Sequence, residues 1–324
     1  MIAVPPPSIT LALATQTNLV RLCPVCGEDN ADALLQKGEL RLVRCRRCSM
    51  IYASPVPEEF VSGRHYNRIG TEYYLSAAKL QSDYAPSRFD RELRLFQTYC
   101  RAGAVLDVGC SSGAFLFQLR QRFPDRYRAL GTDASGPPLD YAESRGIPVA
   151  RGNFLDAGFD PGKFDAITFW AVLEHVSAPR EFLQKAAALL NPAGLCFLLV
   201  PNMESLAARL LGWRYRYIYP QHLNYFTAAT LTKLVEPNFS IVELRSTHFN
   251  PVVLWQDWRR HGAEVSNQER AALLERTTAY KQNPLFRPLK ALYQLAERTL
   301  DALRLADNLA VVLRKRTDRL EAIS

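Results

Sequence analysis

Val105-Leu-Asp107-Val-Gly109-Cys110-Ser111-Ser-Gly113-Ala-Phe-Leu116 is the stretch on which the fold turns. An apolar strand ends in an acid, a turn with two glycines follows, and an amphipathic helix opens at once. Such a turn brings bare backbone and a helix N-terminus close to a ligand, which suits a carboxylate, a ribose or a phosphate. A second strand, Arg128-Ala-Leu-Gly-Thr-Asp133, also ends in an acid. An acid there can accept both hydroxyls of a ribose.

Residues 103–246 continue the alternation of apolar strands and amphipathic helices, the pattern of a parallel, doubly wound α/β sheet. Strands are expected at Ala104–Val108, Tyr127–Thr132, Phe164–Trp170, Gly194–Val200 and Phe239–Arg245. Helices are expected at Gly113–Arg122, Pro137–Arg145, Arg180–Leu190 and Ala228–Val235. The chain then reads as a helical insertion over 250–306, and Asn308–Arg314 reads as a buried last strand. Upstream lie a flexible leader (1–20), a cysteine-bearing module (21–57) and a helical linker or cap (58–102). The domain over 103–324 completes the chain.

Cys23-Pro-Val-Cys26-Gly27 and Cys45-Arg-Arg-Cys48 are two C-x-x-C knuckles. A two-residue gap lets both thiolates of a knuckle reach one ion, and two knuckles close a tetrahedral shell with no open position. The expectation is a structural Zn²⁺ site, a zinc ribbon, holding a segment too short to bury a core of its own. Cys100, Cys110 and Cys196 read as buried bystander thiols.

The 324 residues are 48% hydrophobic and 22% charged, which excludes a disordered chain and leaves room for one α/β domain plus a smaller module. The apolar run Ile9–Ala14 lacks the basic flank of a signal peptide, and no stretch approaches bilayer-spanning length. Seven cysteines with four in close pairs fit a reduced, cytoplasmic setting. The net charge of +8 favours acidic partners.

Three classes could own the glycine turn. A nicotinamide dehydrogenase wants a glycine where Ser111 stands. Gly109-Cys-Ser111-Ser-Gly113 spells a hydrolase nucleophile elbow, but no oxyanion loop precedes it. The turn resembles that of the class I S-adenosylmethionine-dependent methyltransferases, with Ser111 in place of the middle glycine. Phe164-Asp-Ala-Ile-Thr-Phe-Trp170-Ala-Val-Leu-Glu174-His175, Leu189-Leu-Asn-Pro-Ala-Gly194 through Pro201-Asn202, and Gln221-His222-Leu-Asn-Tyr225-Phe226 look like later segments of that family. The likeness is to a group related to ubiquinone-type O-methyltransferases and sugar C-methyltransferases, several of which carry a four-cysteine ribbon.

The resemblance implies a Rossmann-like seven-stranded sheet with an antiparallel last strand, and S-adenosyl-L-methionine as methyl donor. The loop from Gly109 through Cys110 and Ser111 to Gly113 would face the methionine end, with Asp107 orienting its amino group. Asp133 would hold the ribose, with Ala134 beside the adenine, Asn153 on its amine and Phe154 against the ring. Trp170 would line the cleft or pack in the core. His222 and His175 are candidate general bases or structural histidines, and Tyr225 is a weaker candidate.

The segment Leu210–Tyr219 interleaves aromatics with arginines. It reads as a cap over the cleft, as ordinary packing, or as peripheral contact with a membrane surface or nucleic acid. The expected partner is a small-molecule acceptor: a sugar, a quinone-like ring or a lipid-linked intermediate. Two alternatives stand beside it. One is an RNA methyltransferase gripping nucleic acid through Arg44, Arg46 and Arg47; the other is a scaffold that binds the cofactor without turnover.

Overall fold

The computed structural model describes residues 18–260 and 287–316, with 266, 269 and 272 between them. Residues 1–17, most of the expected leader, and the centre of the expected helical insertion lie outside the described residues. Three strands form the cysteine module: β1 (Ala31–Lys37), β2 (Leu40–Cys45) and β3 (Ile51–Ala53), paired antiparallel. The module sheet takes a fourth strand from far along the chain, because Asn224–Tyr225 pairs with Ile51 and Tyr52. Asn18–Leu19 pairs with Val56–Pro57.

Helices α1 (Arg64–Ile69), α2 (Ala77–Asp83) and α3 (Asp90–Tyr99) follow. The main sheet is built from β4 (Gly103–Val108), β5 (Tyr127–Asp133), β6 (Val149–Arg151), β7 (Phe164–Trp170), β8 (Leu190–Pro201), β9 (Phe239–Thr247) and β10 (Asn308–Lys315). Its order is β9-β10-β8-β7-β4-β5-β6. Neighbours from β8 through β6 run parallel, and β10 runs antiparallel to both β8 and β9. The strand β6 was not among the segments expected as strands: its three residues are too few to show a period.

Helices α4 (Ala114–Arg122), α5 (Gly136–Ser144), α6 (Pro179–Leu189), α7 (Leu206–Leu211), α8 (Ala228–Val235), α9 (Pro251–Arg260) and α10 (Arg287–Ala302) surround this sheet. Strand residues alternate between two cores, as a pleated sheet covered on both faces requires. Leu106, Ile167, Leu198 and Val311 pack against α6 and α8, whereas Val105, Ala166, Phe197 and Val312 pack against α3 and α4.

Two boundaries differ from expectation. Leu93, Leu95 and Phe96 of α3, in the segment expected as a helical linker or cap, are buried against the main sheet, so α3 belongs to this layer. Conversely, Cys23, Cys45, Cys48, Met50 and Tyr52 share one continuous core with Phe226 and the sheet. The cysteine module is welded on.

Candidate functional site

Parallel strands leave their carboxyl ends, and the loops that follow, along one edge of the sheet, where ligands of open α/β folds bind. At the end of β4 the turn is shaped by steric need. Gly109 has φ of 73°, and a Cβ there would come within 2.5 Å of Val172 Cγ2. Ser111, where the family pattern has glycine, also adopts left-handed backbone with φ of 50°, a strained geometry for a residue with a side chain. Its amide is held at 2.9 Å by Asp133 Oδ2, while Asp133 Oδ1 accepts from Ser135 N at 2.8 Å. Burial raises the Asp133 carboxyl above its ordinary range.

Asp107 is buried, and its Oδ1 accepts the Thr168 hydroxyl at 2.6 Å. Burial pushes its pKa to about 7, against the opposing effect of that hydrogen bond. No described basic side chain lies within ion-pair reach of it. A ligand ammonium would supply the missing counter-charge. The buried Ser111 Oγ, Thr132 Oγ1 and Trp170 Nε1 also lack hydrogen-bond partners. The edge therefore fits a polar ligand with an amino group.

Beyond β7, Glu174 and His175 meet His222 from the loop before Asn224–Tyr225. One carboxylate oxygen and one nitrogen from each ring lie within 4.8 Å of one another. The two imidazoles sit 4.6 Å apart edge-on, and Tyr217 stacks on His222 at 14° with Tyr219 on another side. His175 Nδ1 is 2.9 Å from the Gln221 carbonyl. A carbonyl only accepts, so Nδ1 donates to it, and Nε2 lies 4.0 Å from Glu174 Oε1. Tyr66, from α1, adds its hydroxyl at 3.2 Å from the same Nδ1. Burial drives the Glu174 carboxyl up to about 8 and raises the phenols of Tyr66 and Tyr74.

The four module cysteines also converge: Cys23 Sγ lies 3.4 Å from Cys48 Sγ, and Cys26 Sγ 3.5 Å from Cys45 Sγ. All four sulfurs are within 4.8 Å of one another. A tetrahedral ion with bonds of about 2.3 Å needs sulfurs about 3.8 Å apart, so the cluster fits one.

Among the residues singled out in the sequence, the structure gathers Asp107, Gly109, Cys110, Ser111, Gly113, Asp133 and Ala134 along one edge, and His175 with His222 beside it. Two residues are displaced from their expected roles. Phe154 is a core residue packed on Phe159, Phe169 and Phe182, so its ring is not free to lie on a ligand. Tyr225 is buried and its hydroxyl donates to the Tyr219 carbonyl at 3.2 Å, which makes it part of the frame. Trp170 packs against Phe115 and Phe197, the core placement of its two expected readings. Asn153 Oδ1 accepts from Leu155 N at 3.1 Å and folds its own turn.

Of the three arginines named for the alternative nucleic-acid reading, Arg44, Arg46 and Arg47, the last two are paired with Asp32 and Glu28. Of the 210–219 segment, Tyr217 and Tyr219 cover His222 and Trp213 is exposed. The site also contains Tyr66, Tyr74 and Glu174, which the sequence did not single out. No helix among the described residues is long and apolar enough to cross a membrane.

Comparison with known proteins places these features. The Ubiquinone biosynthesis O-methyltransferase of Caulobacter vibrioides is 30% identical over 146 residues, covering 41% of this chain and 55% of that protein. A Bos taurus protein named "Probable tRNA methyltransferase 9B" is 27% identical over 136 residues, covering 41% of this chain and 29% of that one. The chain thus spans about half or less of the length of these relatives. Among solved structures, Haemonchus contortus Phosphoethanolamine N-methyltransferase 2 in complex with S-adenosyl-L-methionine shares the fold. It has a TM-score of 0.51 at 12% identity, over 87% of this chain and 71% of that one. A family model described as a methyltransferase domain matches residues 80–244. That match takes in the two strand-end acids, the glycine turn and the Glu174–His175 pair over more than half of the 324 residues, and the chain belongs to the methyltransferase domain family.

Proposed function

We propose that the protein transfers the methyl group of S-adenosylmethionine to a small-molecule acceptor bearing a hydroxyl or an acidic carbon, deprotonated at the His175–His222 pair. The donor supplies an electrophilic methyl carbon. Asp133 would take the ribose hydroxyls, since each of its oxygens accepts one backbone amide and keeps a second lone pair. The turn from Gly109 to Gly113 and the carboxylate of Asp107 would take the amino-acid end, and Ala134 and Asn153 would flank the base. Zn²⁺ held by Cys23, Cys26, Cys45 and Cys48 would be structural.

The observation that carries the acceptor reading is the pinned His175 ring beside His222. A nucleophile that must lose a proton needs such a base, whereas a free amine offers its lone pair unaided. Tyr66, Tyr217 and Tyr219 wall this space with aromatic rings, which suits a ring-shaped acceptor such as a sugar or quinone-like molecule. The engagement of Arg46 and Arg47 with acids counts against the nucleic-acid grip.

The test follows transfer of labelled methyl from S-adenosylmethionine into a small-molecule extract and into total RNA. Label in a small molecule, reduced about 10²–10⁴-fold by His222→Gln with donor binding retained, supports the proposal. Label confined to RNA would replace it with the RNA reading. Binding of the donor without transfer to either would leave the scaffold.

A further inference from the structure

Besides the strand pairing of Asn224–Tyr225 with Ile51 and Tyr52, one side chain ties the cysteine module to the histidine pair. Arg21 is buried, two residues before Cys23. Its Nη1 donates to the carbonyls of Ala53 (3.2 Å) and Leu223 (3.0 Å), and its Nη2 to the Ser177 carbonyl and Asn224 Oδ1, both at 2.8 Å. Among the described residues no carboxylate pairs with it. A buried cation satisfied only by neutral oxygens is costly to hold, and its planar fork is what lets one residue tie three separate segments together.

Those segments bracket the two histidines. Leu223 and Asn224 follow His222, and Ser177 follows the loop that carries Glu174 and His175. Asn224 extends the tie: its Nδ2 donates to the carbonyls of Leu173 and Val176 at 2.7 Å each. The amides of Leu223 and Asn224 both donate to the Glu174 carbonyl, at 2.7 and 3.0 Å. On the module side, Ser54 Oγ accepts from Arg21 N at 3.0 Å, and Ala53 N donates to the same Leu223 carbonyl at 2.9 Å.

We infer that Arg21 is a positioning residue for the acceptor site: it locks the His175 and His222 loops to the cysteine module, so that metal bound by the four cysteines sets the geometry of the histidine pair. The inference rests on the histidine pair being the acceptor site, yet its test does not need turnover. A plain stabilising tie would affect stability alone; a positioning tie must alter the imidazoles.

Imidazole nitrogen spectra of full-length, metal-loaded protein with labelled histidine provide the test, with the signals of the five rings assigned by single His→Gln variants. In Arg21→Lys, which keeps the charge and loses the fork, metal content and affinity for S-adenosylhomocysteine should stay within about twofold of the parent. The His175 and His222 signals should nonetheless move by more than any of His65, His248 and His261. Chelating the metal from the parent should move the same two signals, and should move them less in Arg21→Lys, where one of the links is already cut. Unmoved His175 and His222 signals in a metal-loaded Arg21→Lys would overturn the inference. So would combined loss of metal and of nucleoside binding, which marks a general folding role. Should Arg21→Lys not fold, Asn224→Ala cuts the same tie from the far end and is read by the same criteria.

Discussion

Asp133 and Ser111 are bound to each other across the first two strand ends, the aspartate carboxylate holding the amide of a serine in left-handed backbone. The acid expected to grip the ribose thus also braces the turn expected to face the methionine end. Asp133→Ala should weaken S-adenosylhomocysteine binding by about 100-fold or more, since it removes charged hydrogen bonds worth about 1.5–3 kcal/mol each. Asp133→Asn keeps one acceptor and should lose less. Calorimetric titration separates the two, and an unaltered affinity in Asp133→Ala would remove the ribose assignment.

Asp107 carries a pKa raised to about 7 by burial. A ligand ammonium beside it would favour the ionised form and lower that pKa, so binding near pH 6 releases a proton. Affinity for S-adenosylhomocysteine should therefore rise from pH 6 to 8, with heats that depend on the buffer's ionisation enthalpy. Asp107→Asn should abolish this part of the pH dependence.

Glu174 ionises near 4.5 when unfolded but stays protonated up to about pH 8 when folded. The folded state holds the extra proton between these values, so Glu174 makes stability fall as pH rises through that window. Asp107 adds a slope of the same sign that both proteins share. Glu174→Gln should gain in melting temperature over the parent by at least about 2 °C at pH 8.5, and the gain should vanish near pH 5. Parallel melting curves across that range would contradict the assignment.

Arg216 and Asp257 form a buried bidentate pair that ties the 212–219 cover to α9. Asp257→Ala removes the carboxylate that offsets the buried guanidinium charge and should cost about 3–5 kcal/mol. Replacing both members with apolar residues should cost less than that single change. Denaturant unfolding gives the stabilities, and limited proteolysis shows whether cleavage concentrates in 212–219.

Local pattern carried much of this architecture. Phe164–Trp170 and Ala228–Val235 appear with the bounds expected from the sequence, because each is a long periodic segment with clear flanks. The cysteine spacing and the glycine turn were legible for the same reason: their chemistry lies within a few residues. Tyr66 was not legible, since a tyrosine in a short polar helix gives no sign that the helix will settle over a strand end. Arg21 was still less so, as its partners are backbone carbonyls 32 and 202 positions away. Phe154 and Tyr225 were misplaced because the sequence shows their neighbours along the chain but not the direction in which their rings point.

The place of β10 has a consequence for synthesis. Asn308–Lys315 is wedged between β8 and β9, with hydrogen-bonded partners on both sides. Until those late residues leave the ribosome, β8 and β9 each present an open edge where the growing chain has nothing yet to place. Such edges invite pairing with other chains. The nascent protein thus carries two unpaired edges until residues 308–315 emerge, and shielding β8 and β9 until then is a natural task for a chaperone.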